Sequence, residues 1–265
     1  MMRAAIGQLT VEEATLDAIG DLRGAYLDGL LEAQELYVEL MVRRARVYML
    51  EAQGVRMGYF LLSEDGALLE YYVTRDHLER MDAILGMLIE KFSIRKALCK
   101  SFDHSLLSCC AGCQKEARVI GIHFREYVEK PARRVVEGVS ARPARLEDEG
   151  YIIAINEEVF DHDEEVRAYI EAGQVLVFEK DAERIGFGIF ARVIAGRPEF
   201  DIGMLVERKF RRQGYGEYII RYLVDYCRRN GWRAVCGCAI ENEASRRCLE
   251  NAGFITRYRL LEFVF

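Results

Sequence analysis

The chain has 265 residues, of which 51% are hydrophobic and only three are proline, so it is long enough for two domains and extensive disorder is excluded. A net charge of −6 with both signs interspersed argues against general affinity for nucleic acid. No apolar run reaches membrane-spanning length, and the N-terminus lacks the apolar core of a signal peptide, which predicts a cytoplasmic protein without a membrane partner.

The first half of the chain begins with helical patterns and continues with strands. Two helical stretches are predicted between Val11 and Ala45. Three strands follow, separated by turns at Gln53-Gly54 and Asp65-Gly66. These strands are predicted at Val47–Ala52, Arg56–Ser63 and Leu68–Val73. The other elements expected in this half are a helix over Asp76–Phe92, a strand through Ala97 and Cys99, a short helix after Asp103 and a strand over Val119–Tyr127.

The second half repeats this order of elements. A strand is predicted at Val139–Arg145, and two helices between Leu146 and Ala172. Asn242 or a neighbour is expected to cap a short helix that Gly253 ends. The other elements expected here are strands at Gln174–Lys180, Arg184–Val193 and Phe200–Val206, a helix at Glu217–Cys227, and strands at Ala234–Ala239 and Phe254–Phe265.

A glycine-rich turn stands between the strand that ends at Val206 and the helix that follows. Its sequence is Arg211-Arg212-Gln213-Gly214-Tyr215-Gly216. A turn that opens a helix presents unpaired backbone N–H groups and the positive end of the helix dipole, which together favour a phosphate. The two arginines add positive charge. Taken alone, the glycines also fit a turn that needs them only for its geometry.

The sequence after the loop carries a family resemblance. The order of strand, Arg-x-x-Gly-x-Gly loop, helix and strand, then Asn242-x-x-Ser245 and the pair Gly253-Phe254, resembles the GNAT superfamily of N-acetyltransferases over residues 139–265. The resemblance implies acetyl-coenzyme A as cosubstrate, lying between the fourth and fifth strands of the domain. The residues that it implies for pantetheine are Met204, Leu205 and Val206, and those for pyrophosphate are Arg211, Arg212, Gln213, Gly214, Tyr215 and Gly216.

Asn242 and Ser245 are implied as further coenzyme contacts, although Asn242 also fits a plain helix cap.

Acetyl transfer to an amine requires a base and benefits from a proton donor. Asp201 lies near the position of a glutamate base in some relatives, and Glu199 is one strand period away on the same side. Both also fit solvated strand residues.

The proton donor is where the sequence departs from the family pattern. Many relatives have a tyrosine seven residues after the asparagine, and Leu249 stands there. The neighbouring Cys248 is expected to point elsewhere on the helix. Tyr215, Tyr258 or a water remain as alternatives, and the spacing does not choose between them.

The repeated order of elements predicts a tandem of two GNAT-like α/β domains, each a mixed, mostly antiparallel central sheet flanked by helices. The domains are expected at residues 1–128 and 139–265, with 129–138 as the linker. The turn and strand at Gly54–Phe60 resemble those at Ala182–Phe187. The first copy has Thr74–Asp82 at the place of the loop, without a glycine. Its acidic residues Asp76, Glu79 and Asp82 would repel a pyrophosphate, so the first copy is expected to bind no coenzyme.

The eight cysteines suggest a metal site as one interpretation. Cys110-x-x-Cys113 is a single ligand pair, and His104 or His123 would have to complete it. Reduced thiols and no metal are the favoured interpretation.

The sequence therefore predicts an acyltransferase that moves acetyl from acetyl-coenzyme A directly to a primary amine of a small molecule or peptide. Two alternatives are a non-catalytic protein that senses the coenzyme or uses the fold for interactions, and a transferase of another acyl group. The protein is expected to be a monomer or homodimer.

Overall fold

The computed structural model describes residues 9–157 and 159–265. The chain divides into two compact units. The first contains the described residues up to Ile122 together with Tyr258–Phe265, and the second contains His123–Arg257. The first eight residues of the predicted domain 1–128 lie outside the described residues.

The first unit has helices packed on a sheet with the strand order β1-β2-β3-β4-β5-β12. Its strands are β1 (Leu9–Ala14), β2 (Arg46–Ala52), β3 (Val55–Leu62), β4 (Leu68–Val73), β5 (Lys96–Lys100), the first part of β6 (Glu116–Tyr127) and most of β12 (Phe254–Val264). Its helices are α1 (Gly20–Gly29), α2 (Leu36–Val42), a 3₁₀ turn (Arg75–Arg80), α3 (Met81–Phe92) and α4 (His104–Cys113).

The two helical stretches predicted between Val11 and Ala45 are present as α1 and α2, but they are preceded by the strand β1, which the sequence does not indicate. β1 pairs antiparallel with β2, from Leu9 opposite Ala52 to Ala14 opposite Val47. The pairing supplies backbone hydrogen bonds that a local pattern does not reveal, because the partner strand lies far along the chain. Helix formation starts at α1.

The second unit has the strand order β6-β11-β10-β9-β8-β7. Its elements after β6 are β7 (Val139–Pro143), a 3₁₀ turn (Leu146–Asp148), α5 (Glu149–Ile155), α6 (Asp163–Glu171), β8 (Val175–Lys180), β9 (Glu183–Arg192), β10 (Glu199–Val206), a 3₁₀ turn (Arg208–Phe210), α7 (Tyr215–Arg229), β11 (Arg233–Ala239) and α8 (Glu243–Ala252). The pairs β7–β8, β8–β9 and β9–β10 are antiparallel, whereas β10–β11 is parallel. The predicted mixed α/β sheets flanked by helices are confirmed.

Helix α7 shows why the elements form where they do. Its apolar residues recur at helical spacing and are buried, and two arginines lie in its last turn, where they complement the helix dipole. The buried residues of α7 are Tyr215, Ile219, Ile220, Leu223, Val224 and Cys227. The N-terminus of the helix is thereby fixed beside the end of β10. Over the ranges that the structure describes, no helix has the length and apolarity needed to cross a membrane.

Candidate active site

The central feature of the second unit is a gap between two parallel strands. β10 and β11 pair only from Glu199 opposite Arg233 to Asp201 opposite Val235. β10 nevertheless continues to Val206 and β11 to Ala239. Beyond Asp201 the edge of β10 that faces β11 is left without that partner strand. Such a backbone edge is able to bond an extended ligand as a further strand would.

The glycine-rich loop lies directly after this edge. Helical hydrogen bonding in α7 starts with the N–H of Tyr218, which donates to the carbonyl of Gly214 at 3.1 Å. In the described parts of the chain, the five backbone N–H groups from Arg212 to Gly216 donate to no acceptor. A row of unbonded N–H groups at the start of a helix is a site for an anion.

The loop backbone adopts an unusual conformation that exposes these groups. Gly214 has φ of 96°, in the region that favours glycine, and Arg212 has φ of 61° although it carries a side chain. Tyr215 is buried and packs edge-on against Phe210, with ring centroids 6.1 Å apart. Tyr215 therefore anchors the loop through its side chain, and only its backbone faces a ligand.

The two loop arginines differ in their surroundings. Arg211 donates from Nε to the carbonyl of Val206 at 2.9 Å, and its Nη2 lies 2.6 Å from Glu157. The side chain of Arg211 thus connects the loop to the end of β10. The side chain of Arg212 makes no hydrogen bond or ion pair to a described residue, so its charge is available to an anion. Gln213 donates to the carbonyl of Lys209 at 3.2 Å.

The linker predicted at residues 129–138 contacts the loop, which the sequence does not indicate. Arg134 donates from Nη1 to the carbonyl of Arg212 at 2.8 Å, and the N–H of Arg133 donates to Glu217 at 3.2 Å. A Cβ placed on Gly214 would lie 3.2 Å from Cβ of Arg134. This segment therefore adds the guanidinium of Arg134 and the backbone of Arg133 to the start of α7.

Arg221 holds this linker in place from the next turns of α7. Its guanidinium donates to the carbonyls of Lys130 and Pro131 at 2.7 and 3.4 Å, and to that of Asn251 at 3.2 Å. Its Nε also donates to the carboxylate of Glu217 at 3.1 Å, so Arg221 connects the backbone of residues 130–131 to the first turn of α7. The glycine-rich loop and the segment at residues 129–138 consequently form one continuous surface.

Gly216 lies in the gap between β10, α7 and α8. A Cβ on Gly216 would lie 3.0 Å from Sγ of Cys248 and 3.3 Å from Cε of Met204. The Cys248 side chain therefore lies against Gly216 and Met204. Leu249, at the position of the family tyrosine, is buried in the core instead. Burial raises the pKa of the Cys248 thiol to about 12, which keeps it neutral at pH 7.

The two carboxylates considered as bases lie at the point where β10 and β11 part. Glu199 is 3.6 Å from Nε of Arg233, its partner on β11. Asp201, in the last paired position, is partly buried and lies close to Cys236, whose thiol pKa is raised well above its usual value mainly by burial. Asp201 is thus the carboxylate nearer the open part of the gap.

Asn242 and Ser245 meet at the start of α8. The side-chain oxygen of Asn242 accepts a hydrogen bond from the N–H of Ser245 at 2.9 Å, which is the geometry of a helix N-cap. The amide nitrogen of Asn242 is left to solvent or a ligand, because this side chain donates to no described residue.

The corresponding turn of the first unit has no such loop. Arg75–Arg80 forms a 3₁₀ turn that leads into α3 at Met81. Cys110, which the sequence pairs with Cys113, is buried in the apolar core of this unit. Across the described residues, no group of three or more His, Cys, Asp or Glu side chains is placed to hold a metal ion.

Comparisons with known proteins agree with this geometry. Residues 15–127 and residues 132–255 each match a family model described as an acetyltransferase (GNAT) domain. An acetyltransferase of the GNAT family from Colwellia psychrerythraea has a similar structure, with a TM-score of 0.84 and 17% identity, over 97% of this chain and 99% of that one. A search of curated proteins gives no match.

Two further solved structures share the fold. A tandem GNAT protein from the clavulanic acid biosynthesis pathway is similar with a TM-score of 0.61 and 14% identity, over 97% of this chain and 98% of that one. A GCN5-related N-acetyltransferase from Sphaerobacter thermophilus is similar with a TM-score of 0.63 and 15% identity, over 96% of this chain and 95% of that one.

The parted strands and the anion-binding loop define a protein of the acyltransferase type. The chain belongs to the GNAT acetyltransferase family, with two such domains in tandem.

Proposed function

We propose that the second unit transfers an acetyl group from acetyl-coenzyme A to a primary amine of a small molecule or peptide, directly and within one ternary complex. The observation that carries this proposal is the gap between β10 and β11, which opens beside five unbonded N–H groups of the glycine-rich loop. An extended ligand with a diphosphate at one end fits this combination, because its chain meets a free strand edge and its charge meets free donors.

The loop and strand edge have separate roles in this proposal. The N–H groups of Arg212 to Gly216 hold the pyrophosphate, together with the guanidinium of Arg212. Arg211 and Gln213 keep the loop in shape through their bonds to Val206 and Lys209. The backbone of Met204, Leu205 and Val206 holds the pantetheine. Only the backbone of Leu205 is available to the pantetheine, because its side chain lies in the core.

The bound coenzyme supplies an acetyl thioester, and the protein must provide an amine without its extra proton. Asp201 is the base that the geometry favours, since it lies where the gap begins. Glu199 is less suited, because it lies at the first paired position of β10 and β11, away from the point where the strands part. Asn242 and Ser245 lie at the start of α8 and contribute a further coenzyme contact.

Thermal unfolding with and without acetyl-coenzyme A tests the coenzyme site. Ligand at 100 times its Kd should stabilise the wild type by about 2.7 kcal/mol. Gly214→Glu should remove this effect, because it places a carboxylate among the N–H groups. Gly150→Glu is the matched control, since Gly150 is exposed in α5 and a Cβ there meets nothing within 4 Å.

A panel of primary amines, with free coenzyme A as the readout, tests the transfer. Release of coenzyme A with one class of amine would support the enzyme. Coenzyme binding without transfer to any amine would support the sensing alternative, and the absence of binding would contradict both.

A further inference from the structure

A cavity of about 220 Å³ lies in the first unit, where β4 and β5 end. Between these two parallel strands Leu68 pairs with Ala97. The cavity is enclosed by α1, the end of β4, the start of α3 and the turn after β5. Neither the coenzyme site of the second unit nor its loop contributes a residue to it. We propose that this cavity binds a small organic monocarboxylate with an apolar body.

The floor of the cavity is a buried cluster whose charges compensate each other. Tyr26 donates from its hydroxyl to Asp103 at 2.7 Å and accepts a hydrogen bond from Nζ of Lys100 at 2.8 Å. The other oxygen of Asp103 accepts from the N–H of Leu106 at 3.1 Å. Lys100 and Asp103 are both buried. The Asp103 carboxylate and the Lys100 ammonium are bonded to the same Tyr26 hydroxyl, so their opposite charges compensate each other. This cluster therefore does not require a cation from solution.

The rim presents hydrogen-bond donors that the protein itself does not use. Arg75 lines the cavity, and its guanidinium makes no hydrogen bond or ion pair to any residue that the structure describes. The hydroxyl of Tyr72 is likewise not bonded to a described residue, and its ring packs edge-on against Tyr26 with centroids 6.3 Å apart. A free guanidinium and a free phenol that line one cavity favour an anion, and a carboxylate matches the guanidinium in geometry.

The remaining wall is apolar and partly uncovered. Leu31 and Leu78 line the cavity, yet their side chains are 61% and 47% exposed. Exposed leucines at the mouth of a cavity indicate surface that a ligand covers. An aliphatic or aromatic body attached to the carboxylate would bury these two side chains.

The charges near the cavity favour a monocarboxylate over the coenzyme. Asp76 and Glu79 lie in the same turn as Arg75, and this turn has no glycine. Their carboxylates disfavour the several negative charges of a pyrophosphate far more than the single charge of a carboxylate. The inference concerns the first unit alone and does not depend on the coenzyme chemistry of the second.

Ligand-observed NMR on the full chain tests the inference with three unbranched probes of six carbon atoms: hexanoate, hexan-1-ol and hexylamine. Hexanoate should bind with a Kd about tenfold lower than the alcohol or the amine. Arg75→Gln should abolish this preference. Arg80→Gln is the control, since Arg80 is an exposed arginine of the same turn that pairs with Glu79. Ala25→Phe, which fills the cavity from α1, should weaken all three probes.

Three results would overturn the inference. One is tighter binding of hexylamine than of hexanoate, and another is an unchanged preference in Arg75→Gln. The third is displacement of hexanoate by coenzyme A in the Gly214→Glu variant, which would make the cavity a second coenzyme site. Saturable hexanoate binding that survives excess coenzyme A in that variant supports the inference even if the second unit proves inactive.

Discussion

Arg134 donates a hydrogen bond to the backbone oxygen of Arg212 at 2.8 Å, so the segment at residues 129–138 is tied to the glycine-rich loop. This contact places the Arg134 guanidinium beside the loop. It also fixes the carbonyl of Arg212, a residue whose positive φ is otherwise unfavourable.

We expect the double substitution Arg133→Gln and Arg134→Gln to raise the Kd of acetyl-coenzyme A about tenfold, because two positive charges are removed near its phosphates. The dependence of the Kd on salt should also become weaker. Isothermal titration at two salt concentrations measures both effects. Arg145→Gln, an exposed arginine paired only with Glu147 across 3.3 Å, is the control. Tighter binding in the double variant would show instead that the linker obstructs the loop.

Asp201→Asn should lower kcat by roughly 10²–10⁴-fold if Asp201 removes the amine proton, whereas the Kd of acetyl-coenzyme A should stay unchanged. Glu199→Gln should have a much smaller effect, because Glu199 is held by Arg233. Steady-state kinetics with a reactive amine, together with coenzyme titration, separates the two quantities. Equal losses in both variants would indicate a shared structural role for the strand.

Asp148→Asn should destabilise the second unit by roughly 3 kcal/mol at pH 7, because Asp148 is buried between arginines. Arg142 donates to both its oxygens at 2.7 and 2.9 Å, and the N–H of Arg145 donates at 2.9 Å. Trp232, the single tryptophan, lies in this unit and reports its unfolding in urea. Glu147→Gln, an exposed neighbour, should change stability by less than about 0.5 kcal/mol.

The pH dependence of stability gives a second test of Asp148. Hydrogen bonding to Arg142 lowers the pKa of Asp148 from 3.8 to about 2. Because the folded pKa lies below the unfolded one, the stabilisation is complete above the unfolded pKa and is lost as pH falls from 3.8 towards 2. The wild type should therefore approach the stability of Asp148→Asn across that window. A constant difference would contradict this assignment.

Lys100→Met should destabilise the first unit by roughly 3–5 kcal/mol, since it leaves Asp103 buried without a compensating charge. Adding Asp103→Asn should recover part of the loss, because asparagine retains the helix cap at Leu106 without the charge. Hydrogen exchange of β5 amides in Lys100→Met, in Asp103→Asn and in the double variant measures the coupling. Additive losses in the double variant would mean that Lys100 and Asp103 stabilise the fold independently.

The sequence predicts most elements of this fold, because their buried residues recur with helical or strand periods that neighbours along the chain reinforce. The strand Leu9–Ala14 was not predicted, because its backbone partner, Val47–Ala52, is distant in sequence. The sequence likewise does not indicate that Cys248 lies against Gly216 and Met204, because this contact depends on how α8 packs.

The loop itself was predictable, since its function resides in consecutive residues and their backbone. The contact of Arg134 with Arg212 was not, because 78 positions separate the two residues. The cavity of the first unit was hidden for a similar reason. Tyr26, Arg75 and Asp103 come from three separate segments, and none carries a recognisable motif.

The last residues of the chain belong to the first unit, where Leu260–Val264 pair with Lys96–Lys100. A single cut in the sequence therefore does not separate the two units. A gene recombination that exchanged everything after residue 138 would also replace the strand that pairs with β5 in the first unit. A different second domain can therefore replace the present one only if its final strand still pairs with β5.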